Sequence, residues 1–190
     1  MKYKIIKEDL VFDDFLKIYK SRICHDSFST NETITVDRLC LERGNAVAVL
    51  LYESDTDSFL FTKQFRYPAA RRSQRWSLEL AAGVIDKDET AAGAARREVL
   101  EELGYEITEL ETVHQYFPSP GVSSELITIF YAAVSQAQQL KEAGGSKDEQ
   151  EDIKLVKIPR LEALQLLEDQ KFNNSITLIG MQWYALNQTQ

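Results

Sequence analysis

A single helical stretch interrupts a long succession of strand patterns. From Thr90 to Gly104, Ala92, Ala95, Val99 and Leu103 recur at three- and four-residue spacing, which puts them on one stripe of a helix of roughly 13 residues. Thr90 suits the N-cap, and Gly104 suits the left-handed residue that follows a last turn. Before this helix, "FLKIYKSRIC", "ETITVDRLCLER", "NAVAVLLYES", "SFLFTKQFRY" and "WSLELAAGVI" read as strands, from their alternation or their apolar, β-branched content. After it, "ITELETVHQYF" and "SSELITIFYAAVS" flank the rigid turn "PSPG", and Gln136–Asp152 reads as a polar loop. "EDIKLVKIP" is a last strand, and "RLEALQLLED" and "NSITLIGMQWYAL" are amphipathic helices. Strands, one helix, strands, then helices is the order of an α+β fold, an α/β/α sandwich, and excludes alternating βαβ units.

The same helix raises a charge problem. Glu98, Glu101 and Glu102 fall in an arc about 100° wide beside the apolar stripe, with Ala94 one turn earlier in the same arc. Arg97 can pair with Glu101 four residues on, but one arginine does not balance three glutamates. The chain offers no surplus elsewhere, because 22 Lys and Arg stand against 30 Asp and Glu for a net charge of −8. Either the arc is solvated, or a hard divalent cation such as Mg²⁺ or Mn²⁺ supplies the missing charge through oxygen ligands.

That acidity also excludes a bare nucleic-acid surface, which needs a basic stripe. No run of about 18 apolar residues is present to span a membrane, and the first residues, "MKYKIIKEDLVFDDF", lack a signal-peptide core, so a cytoplasmic protein is expected. Cys24 and Cys40 have no metal-binding or redox spacing and read as free thiols. His25 and His114 have no partners at ligand spacing, and neither a phosphate-binding glycine loop nor a Gly-x-Ser-x-Gly elbow occurs. Residues 1–43 read as an N-terminal β-rich arm and residues 44–190 as the main domain.

The wider pattern decides between the two readings of the arc. Gly83, five residues, Glu89, seven residues, then "REVLEELGY" resembles the Nudix box at every fixed position. Its last residue is Tyr105, where the box has an aliphatic. The resemblance implies a Nudix fold with a mixed β-sheet between helices and hydrolysis of a nucleoside diphosphate linked to another group. It implies metal ligation by Glu98, Glu102 and the carbonyl of Ala82, with Glu101 as a further ligand or water-holding carboxylate. Arg97 would orient Glu101, and Glu89 would fix the loop. Mg²⁺ is the implied cofactor, with Mn²⁺ as a substitute.

"FTKQFRYPA", "QYFPSPGVSSE" and "EQEDIKLVKIP" are together similar to the branch containing ADP-ribose pyrophosphatases and GDP-mannose hydrolases. Pro120, fifteen residues past Tyr105, resembles the ADP-ribose enzymes, whereas "ERGNAVAVLLY" and "EAGGSKDEQEDI" look more like the GDP-mannose relatives. ADP-ribose is the preferred substrate on this resemblance, with GDP-mannose the alternative. A non-catalytic ADP-ribose sensor is the alternative of another class. Arg66 resembles a phosphate-contacting arginine. Glu151 would reach a metal from a mobile acidic loop, and Glu149 or Glu125 would serve as general base. The arm would build a homodimer and part of the base pocket.

Overall fold

The structure, a computed structural model, describes residues 1–72, 75–144 and 152–187. It divides into two compact units, one of Met1–Asn45 with Phe117–Leu126, the other of Ala46–Tyr116 with Ile127–Gln190.

The first unit is a three-stranded antiparallel sheet of β1 (Tyr3–Asp13), β2 (Lys17–Asp26) and β3 (Thr33–Glu42), in that order. Its first strand escapes sequence reading for a physical reason. Ile6 and Val11 are bulged, at shifts between Ile5 and Lys7 and between Leu10 and Phe12. A bulge adds a residue and resets the two-residue alternation. Opposite Ile23 and Tyr19 of β2, one face therefore receives Ile5 and Leu10 rather than residues an even number apart. That face also carries Tyr3, Ile34 and Val36. The Leu41 N–H donates to the Val122 carbonyl (2.8 Å), the Ser124 N–H donates to the Leu41 carbonyl (3.1 Å), and the Ser124 hydroxyl donates to Glu42 (2.5 Å). The Ser124 bond and the Gly44 N–H hold the Glu42 carboxyl below its ordinary range. Cys24 and Cys40 are both unpaired thiols.

The second unit is built on β4 (Ala46–Glu53), β5 (Ser58–Phe65), β6 (Trp76–Glu79), β7 (Ala81–Val84), β8 (Glu111–Tyr116), β9 (Ile127–Val134) and β10 (Lys154–Pro159). The main path runs β10-β5-β4-β9-β8, with β6 on β5 and β7 on β4. The β4–β9 pair is parallel and the other pairs are antiparallel, so the sheet is mixed. "WSLELAAGVI" is two strands rather than one, because the chain changes partners at Leu80, from β5 to β4. The helices are α1 (Tyr67–Ala70), α2 (Ala91–Glu98), α3 (Arg160–Glu168) and α4 (Ser175–Asn187). The short α1 follows a strand directly and gave no periodic signal.

Strand β4 is apolar on both faces, as buried parallel strands are. Val47, Val49 and Leu51 pack with Ala94, Ala95, Val99 and Leu103 of the box region, while Ala48 and Leu50 pack with Phe59, Phe61, Met181 and Tyr184. Helix α2 thus covers one face and α3 and α4 the other, the expected sandwich. The buried stripe of α2 includes Ala94 and not Ala92, so the glutamate arc is turned toward the protein further than its spacing suggested. Among the described residues, no helix is long and apolar enough to cross a membrane.

Candidate functional site

The loop from β7 into α2 is a set of interlocking local bonds. The Glu89 N–H donates to the Asp86 carbonyl (3.1 Å), and the Asp86 N–H donates back to the Glu89 carboxylate (3.2 Å). Asp88 adopts φ +68°, a left-handed conformation that aspartate tolerates better than most residues. The Thr90 hydroxyl oxygen accepts the Gly93 N–H at 3.0 Å, capping α2 as its sequence requires. After Glu98 the helix continues through a wider turn, Val99–Leu103. The Gly104 N–H is shared between the carbonyls of Val99 and Leu100, both at 3.1 Å, and Gly104 takes φ +81°.

The three glutamates on this helix have different surroundings. Glu98 is 9% exposed and Glu102 1%, whereas the Glu101 side chain retains 38% of its exposure. Glu102 accepts the Ala82 N–H at 3.0 Å, joining the helix to β7. Glu98 lies over Gly83 so closely that a Cβ there would stand 1.9 Å from Glu98 Oε1. A solvated acidic stripe does not describe these contacts.

Arg97 does more than pair with Glu101. Its guanidinium donates to Glu98 (2.7 Å) and Glu101 (3.3 Å), to both oxygens of Glu89 (3.2 and 3.0 Å) and to the Val84 carbonyl (3.1 Å). The Glu89 bond, opposed by desolvation and helped by Glu98, raises the Arg97 pKa. The same bond holds the Glu89 carboxyl below its usual range. One arginine therefore fixes the loop and two glutamates of the arc together.

Among the described residues, no three carboxylate, imidazole or thiol groups already converge as a closed metal set. The donors nonetheless fit one kind of ion. Glu98, Glu101 and Glu102 offer only hard carboxylate oxygens, two of these side chains are buried, and Gly83 leaves room for Glu98 where any side chain would intrude. That donor chemistry suits Mg²⁺ or Mn²⁺.

Arg66 follows directly on the end of β5. Its guanidinium grips Glu79 of β6, with Nε 3.2 Å from each carboxylate oxygen and the terminal nitrogen at 2.8 Å. Both line a cavity of about 310 Å³ with Arg72, Ser77 and Asn173. Glu79 was missed by sequence reasoning, and its signal was weak: a polar residue in a strand that alternates. Pro120 and Glu125 fall in the first unit. Pro120 belongs to a turn closed by the Val122 N–H on the Ser119 carbonyl (3.0 Å), and Glu125 pairs with Arg43 at 3.4 Å. Glu149 and Glu151 lie outside the described residues.

Known proteins resemble the chain over nearly its whole length. The family model described as "NUDIX domain" matches residues 42–177. The ADP-ribose pyrophosphatase of Haemophilus influenzae is 33% identical, in an alignment covering 98% of this chain and 88% of that protein. The ADP-ribose pyrophosphatase of Escherichia coli K12 is 31% identical, covering 97% and 88%. A GDP-mannose pyrophosphatase of Shigella flexneri is 28% identical, covering 96% and 95%. A solved structure titled "Crystal structure of ADP compounds hydrolase" superposes with a TM-score of 0.71 at 20% identity, covering 97% of this chain and 95% of that one.

Proposed function

The chain belongs to the NUDIX domain family, and from that membership we propose that it is a Mg²⁺-dependent hydrolase of nucleoside diphosphate sugars, splitting ADP-ribose into AMP and ribose 5-phosphate in preference to GDP-mannose. The observation that carries this reading is the burial of Glu98 and Glu102 against β7, beside Gly83 and Ala82, at the two positions where the box pattern has metal ligands. The ADP-ribose pyrophosphatases among the relatives support the substrate order, at 33% and 31% identity against 28% for the GDP-mannose enzyme.

Each residue then has a task. Glu98, Glu102 and the Ala82 carbonyl hold the ion, with Glu101 as a further ligand or water holder and Glu151 as a ligand from its loop. A divalent ion bound there offsets the charge of the diphosphate and lowers the pKa of a coordinated water. Arg97 fixes Glu98 and Glu101 in orientation, and the diphosphate meets Arg66, which Glu79 keeps aimed. Glu149 or Glu125 takes the proton of the attacking water. Pro120 stiffens the turn that favours ADP-ribose. The first unit leaves large apolar side chains outside, Tyr3 at 75%, Ile5 at 47% and Leu10 at 43% exposure, and pairing with a second copy would cover them. The working assembly is a cytoplasmic homodimer.

The test is a side-by-side assay of ADP-ribose, GDP-mannose, UDP-glucose and NADH at limiting enzyme. A purine edge left with one unpaired buried donor or acceptor loses about ten- to a hundredfold in kcat/KM, and ADP-ribose should lead by that margin. GDP-mannose leading by about tenfold reverses the substrate choice at the same discrimination scale. Binding of ADP-ribose without release of AMP, with Mg²⁺ present, would identify a sensor instead of an enzyme.

A further inference from the structure

The box ends on a tyrosine where its pattern has an aliphatic, and the structure gives that tyrosine a polar partner. Tyr105 is 3% exposed, and its hydroxyl donates to Glu53 Oε1 at 2.5 Å. Glu53 ends β4 and is fully buried. Its other oxygen accepts the Thr56 hydroxyl (2.5 Å) and the Lys157 ammonium of β10. Burial alone would push the Glu53 carboxyl up, but these three hydrogen bonds and the Lys157 charge hold it below its usual range, so it is ionised. A buried, ionised carboxylate is a stiff anchor, because moving any of its donors leaves part of its charge unsolvated.

What the anchor holds is the end of the box helix. Between Glu102 and Tyr105 the helical ladder is irregular, since the Gly104 N–H divides between two carbonyls and its bond to Val99 O spans five residues. Such wide turns gather at functional sites, where they re-aim side chains at the expense of regular bonding. A Cβ on Gly104 would stand 2.0 Å from the Lys141 carbonyl oxygen, so no side chain fits at this point. Tyr105, directly after it, ties the turn to β4 and β10 at one end. Glu102 ties it to β7 through the Ala82 N–H. The two carboxylates therefore fix one short segment from two sides.

We propose that Glu53 and Tyr105 are positioning residues for the carboxylates of the box, and that their hydrogen bond sets the affinity of the site for its divalent ion. This rests on the metal-dependent reading above and deepens it. An aliphatic residue at 105 would pack in the same place but would fix no direction. The hydroxyl–carboxylate bond does so, and Glu102, three residues earlier in the widened turn, inherits the constraint.

The test measures Mn²⁺ affinity directly, by the loss of the free-ion electron paramagnetic resonance signal, on the folded protein without substrate. Glu102→Gln establishes whether the box binds the ion at all. Tyr105→Phe keeps the ring and removes the hydroxyl, and should raise the Mn²⁺ dissociation constant about tenfold, equivalent to about 1.4 kcal/mol. Thr56→Val removes a different hydrogen bond from the same Glu53 carboxylate, without touching the helix. It should lower the melting temperature as Tyr105→Phe does, yet leave Mn²⁺ affinity within about twofold, less than the 1.4 kcal/mol of a tenfold step. If Thr56→Val weakens Mn²⁺ as much as Tyr105→Phe, the effect is general destabilisation and the positioning role falls. If Tyr105→Phe leaves affinity unchanged while Glu102→Gln abolishes it, the positioning role falls and the metal reading stands. A parent protein that binds no Mn²⁺ overturns both.

Discussion

Gly83 is a glycine for a reason that its own backbone does not supply. The two glycines with positive φ are Gly44 and Gly104, among the described residues, and Gly83 is not one of them. Its constraint is the Glu98 carboxylate, whose Oε1, Cδ and Oε2 would lie 1.9, 2.1 and 2.6 Å from an added Cβ. Ordinary contact begins at 3.4 Å, so Gly83→Ala must push the carboxylate away by about 1.5 Å or turn it to another rotamer. The displaced group is the tip of a flexible side chain, so folding should lose little, on the order of 1 kcal/mol. The catalytic arrangement should lose much more. Glu98 would leave its 2.7 Å bond to Arg97, and a 1 Å misplacement at a reacting centre is worth about 10²-fold in rate. We expect kcat for AMP release from ADP-ribose to fall about 10²- to 10³-fold, or 3–4 kcal/mol of barrier at about 1.36 kcal/mol per decade. The assay is initial rate at saturating Mg²⁺, alongside thermal melting of the same sample. Activity within about threefold of the parent, far less than the 10²-fold a misplaced ligand implies, would refute the claim that Glu98 must occupy that spot. A collapse of the melting temperature would refute the claim that only the carboxylate tip is displaced.

Other outcomes follow from the same contacts. Glu102→Gln keeps the shape and removes one charge, and should cost at least about 10³-fold in kcat, read by the same assay, while the protein stays folded. A chelator should abolish turnover and added Mg²⁺ should restore it; full activity in chelator excludes the metal mechanism. Light scattering at micromolar concentration should give twice the 21.7 kDa chain mass. Glu53 and Glu89 have folded-state pKa values below their ordinary 4.5. Their contribution to stability is thus full above that value and lost as pH falls through the lower folded values. Melting temperatures taken from pH 7 down to pH 3 should decline below about pH 4.5, and Glu89→Gln should flatten the decline.

The box helix was legible in the sequence because its residues stand at fixed spacing: Gly83, Glu89, Arg97 and the three following glutamates can be counted along the chain. What they touch could not be counted. The spacing gave Arg97 one partner, Glu101, while the folded loop brings Glu89 back beside it. Strand β1 was hidden by two bulges, and the break at Leu80 by the absence of any turn residue at the point where pairing partners change. The place of 117–126 beside the N-terminal strands depends on main-chain bonds to Leu41, which no side-chain pattern announces. Resemblance singles out Arg66, but its partner Glu79 arises from a strand register that only the sheet defines.

The two-faced strand β4 also has a kinetic consequence. Its turn-linked neighbour β5 can close against it early, through the short Ser54–Thr56 connection. Its parallel neighbour β9 pairs Ala46 with Ile127, so most of the chain must be synthesised before that edge is filled. Until then a strand with apolar residues on both sides waits with main-chain groups not yet paired to a neighbouring strand, and neither core can close. Non-local closure of this kind is slow to nucleate, and an open, sticky edge is where nascent chains associate wrongly. A ribosome-bound or truncated chain ending before Ile127 would lack β9, the strand on which both cores depend.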